Sequence, residues 1–295
     1  MTSRPTRYRS REEDSARWLE FEFRDDDIVI STRSKSGTTW VQMICALLIF
    51  RTPDLPRPLP QLSPWLDWLV LPQDELFADL AAQRHRRFIK THTPLDGVPD
   101  DDRVTYIVVA RHPLDAAVSL YHQSNNLDRE RIARLTGNPS PATPRHLPPL
   151  SEWLLDWTES DVEAADDLDS FNGVFHHLTD AWNRKDDPNV VLVHYADLLH
   201  DLPGEMRRLA IELGIEITDV SIDALARAAT LDAMRSHADE VAPDPAGVLL
   251  DRSRFFRTGG SGAGTDALSP AGLAAYRARA ADAAPPDLRR WLHRG

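Results

Sequence analysis

The sequence predicts an α/β fold, a single domain with a central parallel β-sheet flanked by helices. Three observations lead there. Short apolar runs rich in β-branched residues, Asp27–Thr32, Phe88–Thr91, Val104–Ala110 and Val190–His194, read as strands, the later ones buried on both faces as parallel strands are. Stretches of helical periodicity lie between and after them, the alternation expected when helices wrap a parallel sheet. A length of 295 residues with a hydrophobic share of 42% is enough for one substantial core.

Taken in order, residues 1–24 form an arm rich in Arg, Glu and Asp with no apolar centre, so it reads as neither a secretory signal nor a membrane anchor. No run approaches the ~20 apolar residues of a membrane-spanning helix, and the expected location is the cytoplasm without membrane insertion. Strand Asp27–Thr32 leads through the polar turn Arg33–Gly37 into a helix over Thr38–Arg51. Residues 53–64 are Pro-rich and residues 126–149 cluster Pro, Thr and Arg; both read as loops on the substrate side of the sheet. Helices are predicted over Asp115–Gln123, Phe171–Arg184, Gly204–Leu213 and Ile222–Arg227, and residues 239–265, ending in Gly259–Gly264, form an irregular segment.

The formal charge of -12 argues against a nucleic-acid partner, since phosphate backbones are held by arrays of Lys and Arg. A small anionic ligand needs only a few local cations and backbone N–H groups and stays compatible with that charge. The one cysteine, Cys45, lies in the apolar run Val41–Phe50, which excludes an intramolecular disulfide and a cysteine-based zinc site. No recognisable dimer motif is present, and the oligomeric state stays open.

The string Ser34–Trp40 (SKSGTTW) sits where the first strand gives way to a helix. Gly37 allows close backbone approach, the hydroxyls of Ser36, Thr38 and Thr39 can donate to phosphate oxygens, and the helix N-terminus adds free N–H groups and a positive dipole end. The GxxxxGK[ST] spacing of an NTPase is absent and Lys35 precedes the glycine, so a metal-free transfer fits better than a magnesium-dependent kinase.

Lys35–Trp40 resembles the 5′-phosphosulfate loop of the cytosolic-type sulfotransferases. Lys90-Thr91-His92 resembles that family's strand-end catalytic motif, Arg111–Ser119 with Tyr121-His122 its 3′-phosphate motif, and Phe255–Gly259 its final phosphate-binding loop. Pro64–Asp67 together with His85–Gly97 is most similar to the bacterial glycolipid sulfotransferases. The resemblance runs from about Asp27 to Gly264 and implies a P-loop-like phosphosulfate-binding loop. It also implies transfer of a sulfuryl group from 3′-phosphoadenosine 5′-phosphosulfate (PAPS), releasing 3′-phosphoadenosine 5′-phosphate (PAP), to a hydroxyl of a small molecule or glycolipid.

On that reading Lys35 stabilises the charge that builds on the bridging oxygen, Ser36, Gly37, Thr38 and Thr39 hold the 5′-phosphate, and His92 is the base that deprotonates the acceptor. Lys90 would hold the sulfuryl oxygens. Arg111 and Ser119 would read the 3′-phosphate, and the resemblance has Ser119 restrain Lys35 until an acceptor arrives. Trp40 would pack on the adenine or sit in the core. The resemblance further places Tyr195, Thr230, Leu231 and Met234 around the adenine and has Arg257 and Gly259 close over the 3′-phosphate. Ala229, Leu231 and Thr258 depart from the family's Thr, Phe and Lys, and Ala263–Thr265 departs from its continuation after Gly262, which predicts a looser closing segment within residues 239–265. Trp65, Trp68, Tyr121, Trp153, Trp157 and Phe175 are the aromatic candidates for an acceptor pocket, most of them expected in the core. The alternatives are a PAPS- or PAP-binding protein without catalysis and a small-molecule kinase.

Overall fold

In the computed structural model, which describes residues 4–139, 147–257 and 259–294, four strands form one parallel sheet. They are β1 (Ile28–Thr32), β2 (Phe88–Thr91), β3 (Thr105–Ala110) and β4 (Val190–His194), in the order β2-β1-β3-β4. Register pairs Ser31 with Thr91 and Val108, and Ala110 with His194, so the carboxyl ends of all four strands finish near one level. The chain runs from β1 to β2 on one side and then crosses back over β1 to β3 on the other, and that reversal opens a crevice beyond the strand ends.

Alternation along the strands sorts the core into layers. Ile28, Ile30, Ile107, Val109 and Val193 face the helix Thr38–Phe50, which is apolar nearly all round and buried for most of its length. Val29, Ile89, Tyr106 and Val108 face the opposite way, against Trp18, Leu66, Leu76 and Leu80. A third cluster joins Ala110 and Leu114 to the helices Leu150–Glu159, Phe171–Asn183, Pro270–Ala283 and Pro286–Leu292. The free edge of β2 is covered by residues 64–66, where Lys90 N–H donates to Pro64 O at 3.0 Å and Leu66 N–H to Lys90 O at 3.1 Å.

The four strands and the helices at Thr38–Phe50, Pro113–Ser124, Phe171–Asn183, Leu202–Glu212 and Asp219–Ala228 fall where the sequence puts them. Residues 126–149 are not all loop: Arg129–Thr136 is helical, begun by Asp128, which accepts from Arg131 N–H at 2.9 Å, and ended by Gly137 at φ 68°. The expected loop 53–64 carries a helical turn at Leu59–Leu62, and residues 239–265 carry short turns at Ser253–Phe255 and Ala263–Asp266. Residues 140–146 and Thr258, both part of the expectations above, lie outside the described residues. The helices Gln73–Ala82, Leu150–Glu159, Pro270–Ala283 and Pro286–Leu292 all start on or just after a proline. Proline breaks a helix interior but suits its first turn, where no N–H partner is needed. Among the described residues no helix is long and apolar enough to cross a membrane.

Candidate active site

The turn after β1 is shaped by two residues with positive φ. Gly37 sits at φ 113°, and a Cβ there would lie 2.9 Å from Tyr195 Cδ2, so both conformation and space demand glycine. Lys35 sits at φ 65°, a left-handed conformation that a side-chain-bearing residue holds at a cost. Together they swing the backbone so that the first N–H groups of the helix Thr38–Phe50 open into a cavity of ≈ 250 Å³ beyond the strand ends.

Cations from four segments converge on that cavity. Lys35, Lys90, Arg111 and Arg257 all line it. Lys35 Nζ stands 3.6 Å over the Phe255 ring and 3.5 Å from Gln123 Oε1, one helical turn beyond Ser119. Burial, then repulsion from Arg111, Lys90 and Arg257, pushes the Lys35 ammonium down to about 7. Lys90 Nζ lies 4.1 Å over the Trp65 ring, and burial lowers it to about 8 against the pull of Glu13 and Asp67. Arg111 spans the cavity floor: its guanidinium stacks 4.3 Å over Tyr195 and Nη2 donates to Gly260 O at 2.6 Å, while the buried Nε has no partner among the described residues. Mutually repelling cations with unpaired donors are the electrostatic counterpart of a bound polyanion.

His92 closes the other end. Its ring packs edge-on against Trp65 at 4.5 Å, and Nδ1 lies 2.5 Å from Thr32 O. A carbonyl only accepts, so Nδ1 carries the proton and Nε2 keeps its lone pair. Burial first, then Lys90 and Arg33, hold the imidazole well below the ordinary histidine range, so the ring is neutral and able to take a proton. Arg33 donates to the His92 carbonyl and, through Nη2, to Asp169 Oδ1 at 2.6 Å.

One positioning residue escaped the sequence reading of roles although it ends the string Pro64–Asp67. Asp67 is fully buried and its Oδ2 accepts from Thr91 Oγ1 at 2.6 Å and Thr93 Oγ1 at 2.5 Å, the two residues flanking His92. Losing buried hydrogen bonds of this kind leaves hydroxyls without an acceptor and is costly. Asp67→Ala is expected to destabilise the fold by roughly 3 kcal/mol in urea unfolding and to slow turnover while leaving PAP affinity near wild type; an unchanged unfolding midpoint would contradict this.

The remaining predicted residues divide. Thr38, Thr39, Trp40, Ser119, Tyr195, Leu231, Met234 and Gly259 line the cavity with Lys35 and Gly37. Trp40 is also core: it is buried, its Nε1 donates to Ala229 O at 2.8 Å and its ring meets Tyr195 edge-on. Ser36 and Thr230 do not reach the wall. Ser36 is buried with its N–H donating to Arg33 O at 3.2 Å, and Thr230 is an exposed N-cap accepting from Ala233 N–H at 3.3 Å.

The segment expected to be loose is held at several points. Tyr195 Oη donates to Gly259 O at 2.9 Å, Arg235 Nε donates to Phe256 O at 2.8 Å, and the buried Asp115 accepts from Gly262 N–H at 2.9 Å and Gly264 N–H at 2.8 Å. Asp115 lies inside the Arg111–Ser119 string, yet nothing local to that string announces a partner about 150 residues away.

A wider cleft of ≈ 1040 Å³ opens outside the cavity, lined by the N-terminal arm, the helix Arg129–Thr136, and residues 153–170. Trp153 and Trp157 border it, and Trp65 and Trp68, stacked at 5.0 Å, border the inner cavity. Tyr121 Oη donates to Pro148 O at 2.9 Å, and Phe175 is in the core.

Comparison with known proteins finds similar chains and folds. A model of the sulfotransferase domain matches residues 25–279. A glycolipid sulfotransferase of Mycobacterium bovis is 44% identical over 307 residues, covering 98% of this chain and 94% of that protein. Human sulfotransferase 2B1 is 28% identical, covering 72% of this chain and 53% of that protein. The crystal structure of mouse sulfotransferase SULT7A1 complexed with PAP superposes with a TM-score of 0.68 at 25% identity, covering 94% of this chain and 90% of that one.

Proposed function

The chain belongs to the sulfotransferase family and moves a sulfuryl group from PAPS to an acceptor hydroxyl, and we propose that the acceptor is a glycolipid and that His92 is the general base. The observation that carries the reading is the convergence of Lys35, Lys90, Arg111 and His92 from three strand ends on one cavity, with His92 Nε2 left free by the bond from Nδ1 to Thr32 O. The 44% identity to a glycolipid sulfotransferase over nearly the whole chain supports the acceptor class.

The cavity fits a bisphosphate nucleotide. Gly37 and Gly259, both at positive φ, leave room for backbone approach, Arg111 Nε is a buried donor without a partner among the described residues, and Tyr195, Leu231 and Met234 supply an apolar wall for a base. PAPS brings a sulfuryl group bonded to a good leaving group, the 5′-phosphate of PAP. His92 Nε2 takes the acceptor proton as the new S–O bond forms in line with the one that breaks. Lys35 meets the charge that collects on the bridging oxygen, and Lys90 the sulfuryl oxygens. Thr38, Thr39 and the helix N-terminus hold the 5′-phosphate; Arg111, Ser119, Arg257 and Gly259 hold the 3′-phosphate. With four cations at hand to neutralise the developing charge, the reaction is expected to run without a metal. A cytoplasmic setting is part of this proposal.

The test is acceptor-dependent release of PAP from PAPS across glycolipids, phenols and alcohols, with EDTA present. Turnover on glycolipids that withstands EDTA supports the reading; PAP binding without turnover on any acceptor would favour a binding protein instead. The Lys35 shift adds a second measurement. An anion beside an ammonium held at about 7 raises its proton affinity, so PAP binding takes up a proton and its affinity falls as pH rises above about 7. Titration calorimetry in buffers of different ionisation enthalpy reads this directly, and proton release at pH 8 would contradict it.

A further inference from the structure

The inner cavity and the outer cleft share six residues, Glu12, Glu13, Leu120, Ser124, Arg129 and Asp169, which form the throat between them. Any acceptor reaching His92 from the cleft passes here. Four of the five polar side chains are engaged: Glu12 Oε1 accepts from Arg129 Nη1 at 3.1 Å, Asp169 Oδ1 accepts from Arg33, and Ser124 Oγ donates to Tyr121 O at 2.8 Å. Among the described residues the Glu13 carboxyl has no hydrogen-bond partner.

Its backbone is nonetheless fixed on both sides. Glu13 forms an antiparallel bridge with Trp68, its carbonyl accepts from Ser10 N–H at 2.9 Å, and its neighbours bond to residues 67 and 69 through Asp14 N–H to Asp67 O at 2.9 Å and Leu69 N–H to Glu12 O at 2.8 Å. Trp68 stacks on Trp65, which carries Lys90 and His92 against its ring, so Glu13 is braced to the catalytic wall itself. A half-buried carboxyl carried on a fixed backbone beside the acceptor path is placed to bond a ligand group.

We infer that Glu13 determines acceptor specificity by hydrogen-bonding a second hydroxyl of a polyhydroxylated acceptor while the first lies at His92, so that sugar-bearing acceptors are chosen over alcohols with a single hydroxyl. The inference rests on the sulfuryl-transfer reading above and adds the residue that reads the acceptor. Burial, with Arg33 opposing and Asp67, Asp169 and Glu12 reinforcing, raises the Glu13 carboxyl to about 8, so a proton is available there near neutrality and the group can donate as well as accept, as a sugar hydroxyl does. A glutamine in its place keeps both functions; an alanine keeps neither.

The experiment measures PAP release by wild type, Glu13→Gln and Glu13→Ala with saturating PAPS and two probes, octyl glucoside and 1-octanol, with PAP-induced thermal stabilisation as the check on folding. Wild type should prefer octyl glucoside. Glu13→Ala should lose about 10- to 100-fold in kcat/KM on octyl glucoside, mainly through KM, with little change on 1-octanol. Glu13→Gln should recover most of that loss. If wild type sulfates octyl glucoside but Glu13→Ala matches it, or Glu13→Gln does no better than Glu13→Ala, the role of Glu13 is overturned and sulfuryl transfer to glycolipids stands. If wild type binds PAP yet sulfates neither probe, the glycolipid reading falls and this one with it.

Discussion

His92→Asn is expected to slow sulfuryl transfer by about 10²- to 10⁴-fold, the usual worth of a positioned general base, with PAP affinity nearly unchanged. Asparagine is the better probe because its amide can still donate to Thr32 O, whereas alanine leaves that carbonyl without the bond it receives from Nδ1. The pH profile separates the base from a structural histidine. Burial, Lys90 and Arg33 hold His92 well below the ordinary histidine range, so its free lone pair persists as pH falls through that range and the acid limb of kcat/KM lies lower still. Stability runs the other way. Below the ordinary histidine range the unfolded chain takes up a proton that the folded His92 and the equally buried His177 refuse, so stability drops as pH falls. A variant with near wild-type kcat, or an acid limb at the ordinary histidine value, would remove His92 from the role.

Lys35 should matter almost as much, about 10²- to 10³-fold in kcat for loss of one preorganised donor to a developing oxyanion. The choice of substitution decides how cleanly that is read. At φ 65° alanine would inherit the left-handed strain, a cost of order 1–3 kcal/mol that the lysine already bears, whereas glycine adopts the conformation freely. Lys35→Gly is therefore expected to equal or exceed wild type in thermal stability, as four crowded cations become three, while still losing the rate. Equal turnover in Lys35→Gly and wild type would show that the ammonium does no chemistry.

How much of this was legible follows from how local each signal is. The strand-turn-helix at 28–50, the Lys90–His92 strand end and the Arg111–Ser119 string are contiguous, and contiguous residues report their own geometry through period, turn chemistry and caps. The helices begun by Pro72, Pro149, Pro270 and Pro286 were missed because a proline reads as an interruption until the direction of the chain after it is known. The Arg129–Thr136 helix was hidden by the Pro-rich residues that follow it. Asp67, Asp115 and Glu13 act on residues 24 to 149 positions away or on the acceptor path, and a single sequence holds no record of such pairings. Ser36 and Thr230 sit in the right strings but are not among the residues that line the cavity.

The roof over the cofactor cavity also sets an order of assembly. Arg111 and Asp115 bond to Gly260, Gly262 and Gly264 across 147 to 149 positions, among the longest-range side-chain bonds in the molecule. Closing so large a loop is slow, and contacts of that separation are the last to repay their entropy. A chain cut before residue 259 is therefore expected to lose nucleotide binding even where Lys35, His92 and Arg111 are present.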